Sequence, residues 1–226
     1  PEFILEQPMI TALDGDVRKI VAGYPLPYLL GYWHFYGDRF QVTPHTLIPR
    51  PETELLVEHS LDWIKSFHSP LQLRYIDIGT GSGCIPISIR KYANIGLVVG
   101  SDCSLTALRI ARQNGLQILA KHSIQWICGD LLHFSPSKWD LVTANLPYIP
   151  SSKLKQLSVS RFEPSLALDG GQDGLDLIRD LLYALDEKLS TPGLALLEFE
   201  KDQSFQIYNM ATTHIPNGKI TLIKDL

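Results

Sequence analysis

The stretch Tyr75-Ile76-Asp77-Ile78-Gly79-Thr80-Gly81-Ser82-Gly83-Cys84 decides the fold. Its first four residues form a short apolar run, and they are predicted to be a buried strand. Three alternating glycines follow at once, and residues 84–91 read as a helix. Glycines at a strand-to-helix turn let the backbone bend sharply and approach a ligand closely. The Lys-Ser/Thr pair of a Walker phosphate loop is absent.

Outward from this loop, strands and helices alternate. Leu97–Asp102 reads as a second strand. Residues 104–120 read as a helix with Leu105, Leu108, Ala111 and Ile118 as its apolar positions. Residues 124–128 and 140–144 are the third and fourth strands, and 149–170 are irregular. A helix is expected over 174–189, a fifth strand over 194–199, a helix over 204–211 and a late strand over 219–223. This alternation predicts a mostly parallel sheet with helices on both faces. On the amino side, residues 8–22 form a weak helical segment, stopped by Gly23 and Pro25. Residues 28–48 read as a β-hairpin with Gly31, Gly37 and Asp38 as turns, and Tyr32, Phe35, Phe40 and Val42 as packing residues. Pro51, Glu52 and Glu54 suit a helix start. That helix runs to about Phe67, with Leu55, Leu56, His59, Trp63 and Phe67 on one side.

The 226 residues carry 20 basic and 24 acidic side chains, a formal charge of −4. That balance argues against bare nucleic acid as the main partner, and no stable nucleic-acid partner is expected. Hydrophobic residues make up 45% of the chain, which rules out a fully disordered protein. Cys84, Cys103 and Cys128 make no C-x-x-C pair, so neither a disulfide framework nor a zinc knuckle is expected. Cys84 reads as a small buried hydrophobe. His34, His45, His59 and His68 lack the partners of a metal site, and no metal is expected. No apolar run approaches the ~20 residues needed to span a bilayer, and no membrane partner is expected. The chain begins without Met and ends just after a strand-like stretch, so further sequence is expected on both sides.

A lone G-x-G-x-G loop is compatible with a structural turn, a nicotinamide dinucleotide site or an S-adenosylmethionine site. Asp77 before the glycines favours the last, because a carboxylate suits the ammonium of a methionine group better than a pyrophosphate. Asp102, at the second strand's end, can accept both ribose hydroxyls. Asp130, at the third strand's end, can accept from an adenine amino group with Leu131 beside the ring, or can simply cap a turn.

The fourth strand runs straight into Asn145-Leu146-Pro147-Tyr148. The Asn145 side-chain oxygen and the Leu146 carbonyl can accept the two N–H groups of a planar NH2, and Tyr148 can stack on its plane. Two acceptors favour positive charge growing at nitrogen during transfer and fix its approach.

With these residues in view, the sequence resembles the HemK/PrmC family of peptide-chain release factor glutamine N5-methyltransferases. The matching pieces are Pro27-Tyr28-Leu29-Leu30-Gly31, Phe35-Tyr36-Gly37, Leu47-Ile48-Pro49-Arg50-Pro51-Glu52-Thr53-Glu54, the Asp77 to Cys84 loop, Asn145-Leu146-Pro147-Tyr148-Ile149, Glu163-Pro164 with Ala167-Leu168, Gly170 to Leu175, and Glu198 to Gln203. The Leu47 to Glu54 and Glu163 to Gly174 pieces are the specific ones.

The resemblance implies a Rossmann-like class I methyltransferase with a seven-stranded, mostly parallel sheet preceded by a β-hairpin. Residues 1–24 would be the remnant of a helical N-terminal substrate-binding domain, 25–70 the hairpin and linking helix, and 71–226 the catalytic domain. The implied cofactor is S-adenosylmethionine, leaving as S-adenosylhomocysteine. The implied partner is a class 1 release factor, methylated on the glutamine of its Gly-Gly-Gln motif by a monomer. The setting would be the bacterial cytoplasm, or the mitochondrion in a eukaryote. Asp77, Gly79, Thr80, Gly81, Gly83, Asp102, Asp130, Leu131 and Asn145 would meet the cofactor. Asn145, Leu146, Pro147 and Tyr148 would hold the target amide. Arg50, Pro51, Glu52 and Glu163 are substrate-binding candidates, with a folding role for Arg50 and Glu52 equally open. One departure stands out: the family's usual motif is Asn-Pro-Pro-Tyr, and Leu146 replaces the first proline. That form occurs in rRNA adenine dimethyltransferases and keeps an N6-adenine methyltransferase in view. Methylation of a ribosomal-protein glutamine is a third reading.

Overall fold

The computed structural model describes residues 6–119 and 124–224. In chain order these hold α1 (Gln7–Val21), α2 (Leu26–Leu30), β1 (Tyr32–Phe35), β2 (Asp38–Gln41), α3 (Glu54–Lys65), β3 (Arg74–Ile78), α4 (Cys84–Tyr92), β4 (Leu97–Asp102), α5 (Leu105–Ile118), β5 (Gln125–Cys128), β6 (Trp139–Asn145), α6 (Ser151–Leu154), α7 (Asp176–Lys188), β7 (Leu189–Glu198) and α8 (Ser204–His214). A 3-10 turn, Pro51–Thr53, leads into α3. Residue 120, where α5 was expected to end, lies outside the described residues, as do 1–5.

Five strands form one parallel sheet in the order β5-β4-β3-β6-β7, and β1 and β2 form a separate antiparallel hairpin. The chain starts in the middle of the sheet, builds outward through β4 and β5, then crosses to β6 and β7. The order therefore reverses between β3 and β6. In an open parallel sheet the crevice at that switch, beyond the carboxyl ends of the strands, is where ligands bind.

Side chains alternate across the sheet, so each strand feeds two cores. On β3, Ile76 and Ile78 join Val142 and Ala144 of β6 in a core with Ile178, Leu181, Leu182 and Leu185 of α7 and Ile207 of α8. Tyr75 and Leu141 face the other way, into a core with Phe35, Phe40, Val57, Leu61, Ile64 and Ile87. Burial on both faces explains why these strands read as continuous apolar runs.

The hairpin is tied to the glycine loop by one buried side chain. Asn114 of α5 accepts from the Gln41 backbone N–H at 2.7 Å. Its Nδ2 donates to the Gln41 and Ser82 carbonyls at 3.0 and 2.8 Å. Beneath that loop lies the Trp126 indole. A Cβ at Gly100 would come within 2.4 Å of it, one at Gly83 within 3.0 Å and one at Gly115 within 3.3 Å.

Four expectations are corrected. The helix over Leu26–Leu30 was not anticipated; it occupies the start of the stretch assigned to the hairpin. The buried side of α3 is Leu56, Val57, Ser60, Leu61 and Ile64. Leu55 and His59 instead line a groove beside β7. Leu105 is exposed, because it stands in the first turn of α5 ahead of the core. Residues 219–223 form no strand; they border the groove beside β7 without a ladder, and alternation alone supplies no pairing partner. Seven strands are present among the described residues, divided as five and two.

Candidate functional site

The carboxyl ends of β3, β4 and β6, with the loop after β5, open onto a cavity of about 450 Å³. The turn after β3 forms its floor. Gly79, Gly81 and Gly83 all have positive φ (69°, 54° and 79°), which a side chain would strain. A Cβ at Gly79 would also press on Leu146 at 3.0 Å. Gly83 does not face the cavity. It caps α4, and the space its Cβ would need belongs to Ala111, Ile87 and Trp126.

Asp102 ends β4 at the rim. Its two oxygens accept from the Gly81 and Ser104 backbone N–H groups at 2.9 and 2.8 Å. Each oxygen keeps a second lone pair for a ligand. Burial raises its pKa, and the two backbone donors oppose that rise. Asp130 is exposed at the rim, and Leu131 is buried with φ 45°, a left-handed conformation uncommon for leucine. Such an outlier, at the wall of a cavity, is characteristic of a working surface.

Asp77 lies under the floor rather than in the cavity lining. It is fully buried, and its Oδ1 accepts from the Thr143 hydroxyl at 2.6 Å, which also meets the Tyr75 hydroxyl at 2.8 Å. Desolvation pushes the Asp77 pKa up to about 7, with the Thr143 and Thr80 hydroxyls opposing. Asp77 Oδ2 and Thr80 Oγ1 are buried and have no partner meeting full hydrogen-bond geometry.

At the end of β6, Asn145, Leu146 and Pro147 form one wall of this cavity, while Tyr148 faces a second space of about 720 Å³ that runs along β7. Arg50 borders both. Burial pushes the Tyr148 hydroxyl up to about 12, followed by the negative charge of Glu198 and Glu200. Asn145 Nδ2 donates to Thr53 Oγ1 at 3.0 Å. Gln203 Nε2 donates to the Tyr148 carbonyl at 2.8 Å and fixes the far side of the motif.

The four substrate-binding candidates separate. Pro51 and Glu52 are exposed, and Glu52 borders the larger space. Glu163 is not free to meet a substrate. One oxygen accepts from Arg50 Nη2 at 2.6 Å and the other from the Ile48 N–H at 3.1 Å. It acts as a strut between the segment after the hairpin and the loop after α6. Cys84 is buried, and its thiol is pushed up to about 12, which fits a packing role. No cluster of metal-binding side chains exists among the described residues.

The donor set favours one kind of ligand. The rim carries the Asp102 and Asp130 carboxylates, and among the described residues the only arginine or lysine in the lining, Arg50, is held by Glu163. Among the described residues a pyrophosphate would meet no free lysine or arginine there. A ligand with ribose hydroxyls and an adenine amino group meets the Asp102 and Asp130 carboxylates, and its ammonium group would lie over the floor that covers Asp77. The volume is in the range of small-molecule sites, roughly 300–1,000 Å³. S-adenosylmethionine therefore fits the residues present.

Comparison with known proteins points the same way. The chain is 37% identical over 212 residues to a release factor glutamine methyltransferase of Bradyrhizobium diazoefficiens, covering 92% of this chain and 71% of that one. It is 40% identical over 213 residues to the Moorella thermoacetica protein of the same description, covering 92% and 74%.

The chain belongs to the release factor glutamine methyltransferase family.

No family model matches the chain. Among solved structures, a SAM-dependent methyltransferase from Agrobacterium tumefaciens matches with a TM-score of 0.56 at 16% identity, covering 80% of this chain and 58% of that one. The hMettl16 catalytic domain matches with a TM-score of 0.57 at 13% identity, covering 87% and 83%. At such identities the likeness is one of fold, and the fold is that of class I methyltransferases. No helix among the described residues is long and apolar enough to cross a membrane.

Two side chains of this family member were missed as neighbours of Asn145. Thr53 had been read only as part of the segment before α3, and Glu198 only as part of a matching stretch. The expected strands 140–144 and 194–199 gave no sign of this, since the pairing of Asn145 with Glu198 follows from the register of β6 and β7.

Proposed function

We propose that this chain transfers the methyl group of S-adenosylmethionine to the side-chain amide nitrogen of the glutamine in the Gly-Gly-Gln motif of class 1 release factors. One observation carries the reading of the site. The Asn145 to Tyr148 motif is the partition between two spaces, with Asn145 to Pro147 lining one and Tyr148 the other. A cofactor seated on one side and a glutamine entering from the other meet at this motif.

S-adenosylmethionine supplies a methyl group on a sulfonium, whose leaving group is a neutral thioether. The protein's task is then to hold and orient. Asp102 accepts from the ribose hydroxyls. Asp130 accepts from the adenine amino group, and Leu131 packs beside the ring. The Gly79 to Gly81 backbone lets the ligand approach, and the ammonium group above the floor favours the ionised form of Asp77 beneath it, whose pKa burial has raised to about 7. Across the partition, Asn145 Oδ1 and the Leu146 carbonyl accept the two N–H groups of the target amide, and Tyr148 stacks on its plane. An amide nitrogen is a poor nucleophile because its lone pair is delocalised. Acceptors on both hydrogens stabilise the positive charge that grows there and hold the attack in line. The methylated nitrogen then loses a proton to water. Leu146 serves through its carbonyl, so the missing proline costs rigidity and not an acceptor. A substrate that acts in translation places the reaction in the cytoplasm, in the bacterial setting of the relatives.

The test is tryptic mass spectrometry of an unmodified class 1 release factor after incubation with the protein and S-adenosylmethionine. One added methyl group on the Gly-Gly-Gln glutamine is expected. An unmodified glutamine from protein that still binds the cofactor would overturn the substrate assignment.

A further inference from the structure

An asparagine side chain can sit in two amide flips, and only one presents its oxygen to a given neighbour. If Asn145 turned its NH2 toward a target NH2, donor would face donor. Something on the protein side must exclude that flip. Asn145 and Glu198 are register partners at the ends of adjacent strands, β6 and β7. Asn145 Nδ2 donates to Thr53 Oγ1 at 3.0 Å, and Thr53 is 2% exposed. The side chains of Thr53 and Asn145 both face the Glu198 carboxylate. Burial raises the pKa of Glu198, and these two groups oppose the rise. Glu52 adds to it and Arg50 works against it. Glu198 Oε2 is sealed from solvent and has no fully formed hydrogen bond among the described residues.

We infer that Glu198 and Thr53 set the amide flip of Asn145, so that its Oδ1 faces the target nitrogen; this rests on the reading of Asn145 given above. An ionised carboxylate can only accept. The Thr53 hydroxyl gives it its single hydrogen and keeps a lone pair for one Asn145 N–H. The other Asn145 N–H points toward the carboxylate itself. The chain of donors then runs one way, from Asn145 through Thr53 to Glu198. A flipped Asn145 would set its oxygen against these acceptors. Thr53 borders the smaller cavity and Glu198 the larger, and both act on the target amide through Asn145, so they are positioning residues. The loose contact at Oε2 fits a network that tightens when the target arrives, as hydrogen bonds in empty active sites often do.

The test compares kcat and KM with cofactor affinity and melting temperature for Glu198→Leu, Glu198→Gln, Thr53→Val and Thr53→Ser, with Asn145→Ala as reference. Glu198→Leu and Thr53→Val should lower kcat roughly 10- to 100-fold, the scale of a misplaced reacting group. Cofactor affinity should fall far less than kcat, since both residues act through Asn145 on the target side; Glu198→Leu, which lines only the larger space, should leave it within about twofold of wild type. Thr53→Ser restores turnover, and Glu198→Gln falls between. In an Asn145→Ala background Glu198→Leu adds no further loss, because residues acting as a unit are not additive. Should Glu198→Leu fail to fold, the Thr53 pair carries the test. Full turnover in Thr53→Val with an inactive Asn145→Ala overturns this inference alone. Loss of cofactor affinity in step with kcat overturns it too, by making the role structural. Full turnover in Asn145→Ala removes the underlying reading instead.

Discussion

Removing one end of the Arg50–Glu163 pair has different costs at the two ends. The pair is 2.6 Å long, with Glu163 3% exposed and Arg50 34% exposed at the side chain. Without Glu163's charge, the guanidinium can turn toward water. Without Arg50, the carboxylate keeps only the Ile48 N–H and cannot reach solvent. Glu163→Gln retains an acceptor for Ile48 and loses a charge-assisted bond, a cost of about 1.5–3 kcal/mol. Arg50→Met keeps the stem and strands a buried carboxylate, a cost of about 3–5 kcal/mol. In a domain of this size 1 kcal/mol shifts the melting temperature by roughly 2–4 °C. The Arg50 variant should therefore melt roughly 6–20 °C below wild type and the Glu163 variant roughly 3–12 °C below. The double variant should be no less stable than Arg50→Met, since it no longer strands a charge. Urea unfolding of all four proteins closes the cycle. The segments joined by the pair, Leu47 to Arg50 and Pro164 to Ala167, both line the smaller cavity, so cofactor affinity should fall in both single variants. The reasoning is refuted if Glu163→Gln is the more damaging change. It is also refuted by a coupling energy under about 0.5 kcal/mol, the level of an exposed pair.

Three further outcomes are expected. Asp102→Ala should weaken cofactor binding by about 1.5–3 kcal/mol, the worth of hydrogen bonds to a charged acceptor, and unchanged calorimetric affinity would move the ribose elsewhere. Asp77, raised from 3.8 to about 7 in the folded protein, ionises earlier in the unfolded chain. The folded state therefore holds the extra proton between those values, and Asp77 costs stability as pH rises from about 4 to 7, at up to ~1.4 kcal/mol per pH unit. Asp77→Asn should flatten stability over that window without cofactor; an unaltered pH profile would refute the assignment. Gly83→Ala places a Cβ 3.0 Å from three side-chain atoms at φ 79°, and should cost about 2–5 kcal/mol, from left-handed strain plus overpacking; urea unfolding within 1 kcal/mol of wild type, on the order of the strain alone, would speak against it.

The sheet was legible because its strands are buried on both faces, and a buried strand writes itself as a short apolar run ending in glycine or a carboxylate. Tyr75 to Ile78 and Leu97 to Asp102 did so, and the loop after β3 followed. The faces of α3 were not legible. Leu55 and His59 fit a helical stripe as well as Val57 and Leu61 do, and only the positions of α4 and β7 choose between them. Residues 219–223 have strand alternation, yet a strand also needs a partner. At the site, Asp102 and Asn145 could be placed because they end strands at the switch point. Glu163 reads in sequence as a substrate-binding candidate and not as a strut, since its partners Ile48 and Arg50 lie far away along the chain. Thr53 and Glu198 were equally hidden, because their meeting with Asn145 depends on strand register and on how α3 packs.

The indole of Trp126 gives the glycine loop a constraint unrelated to any ligand. Gly83, Gly100 and Gly115 come from a turn, a strand and a helix, and all three make room for one ring. A side chain at Gly100 would run into the ring and one at Gly83 would crowd it, while at Gly115 the ring would have to give by a few tenths of an ångström; a smaller residue at 126 would leave a void shared by all three. The four positions are coupled through that one ring. A protein of this fold that had lost its cofactor would still be obliged to keep glycine at 83, so a glycine-rich turn can outlast the chemistry it is taken to signify.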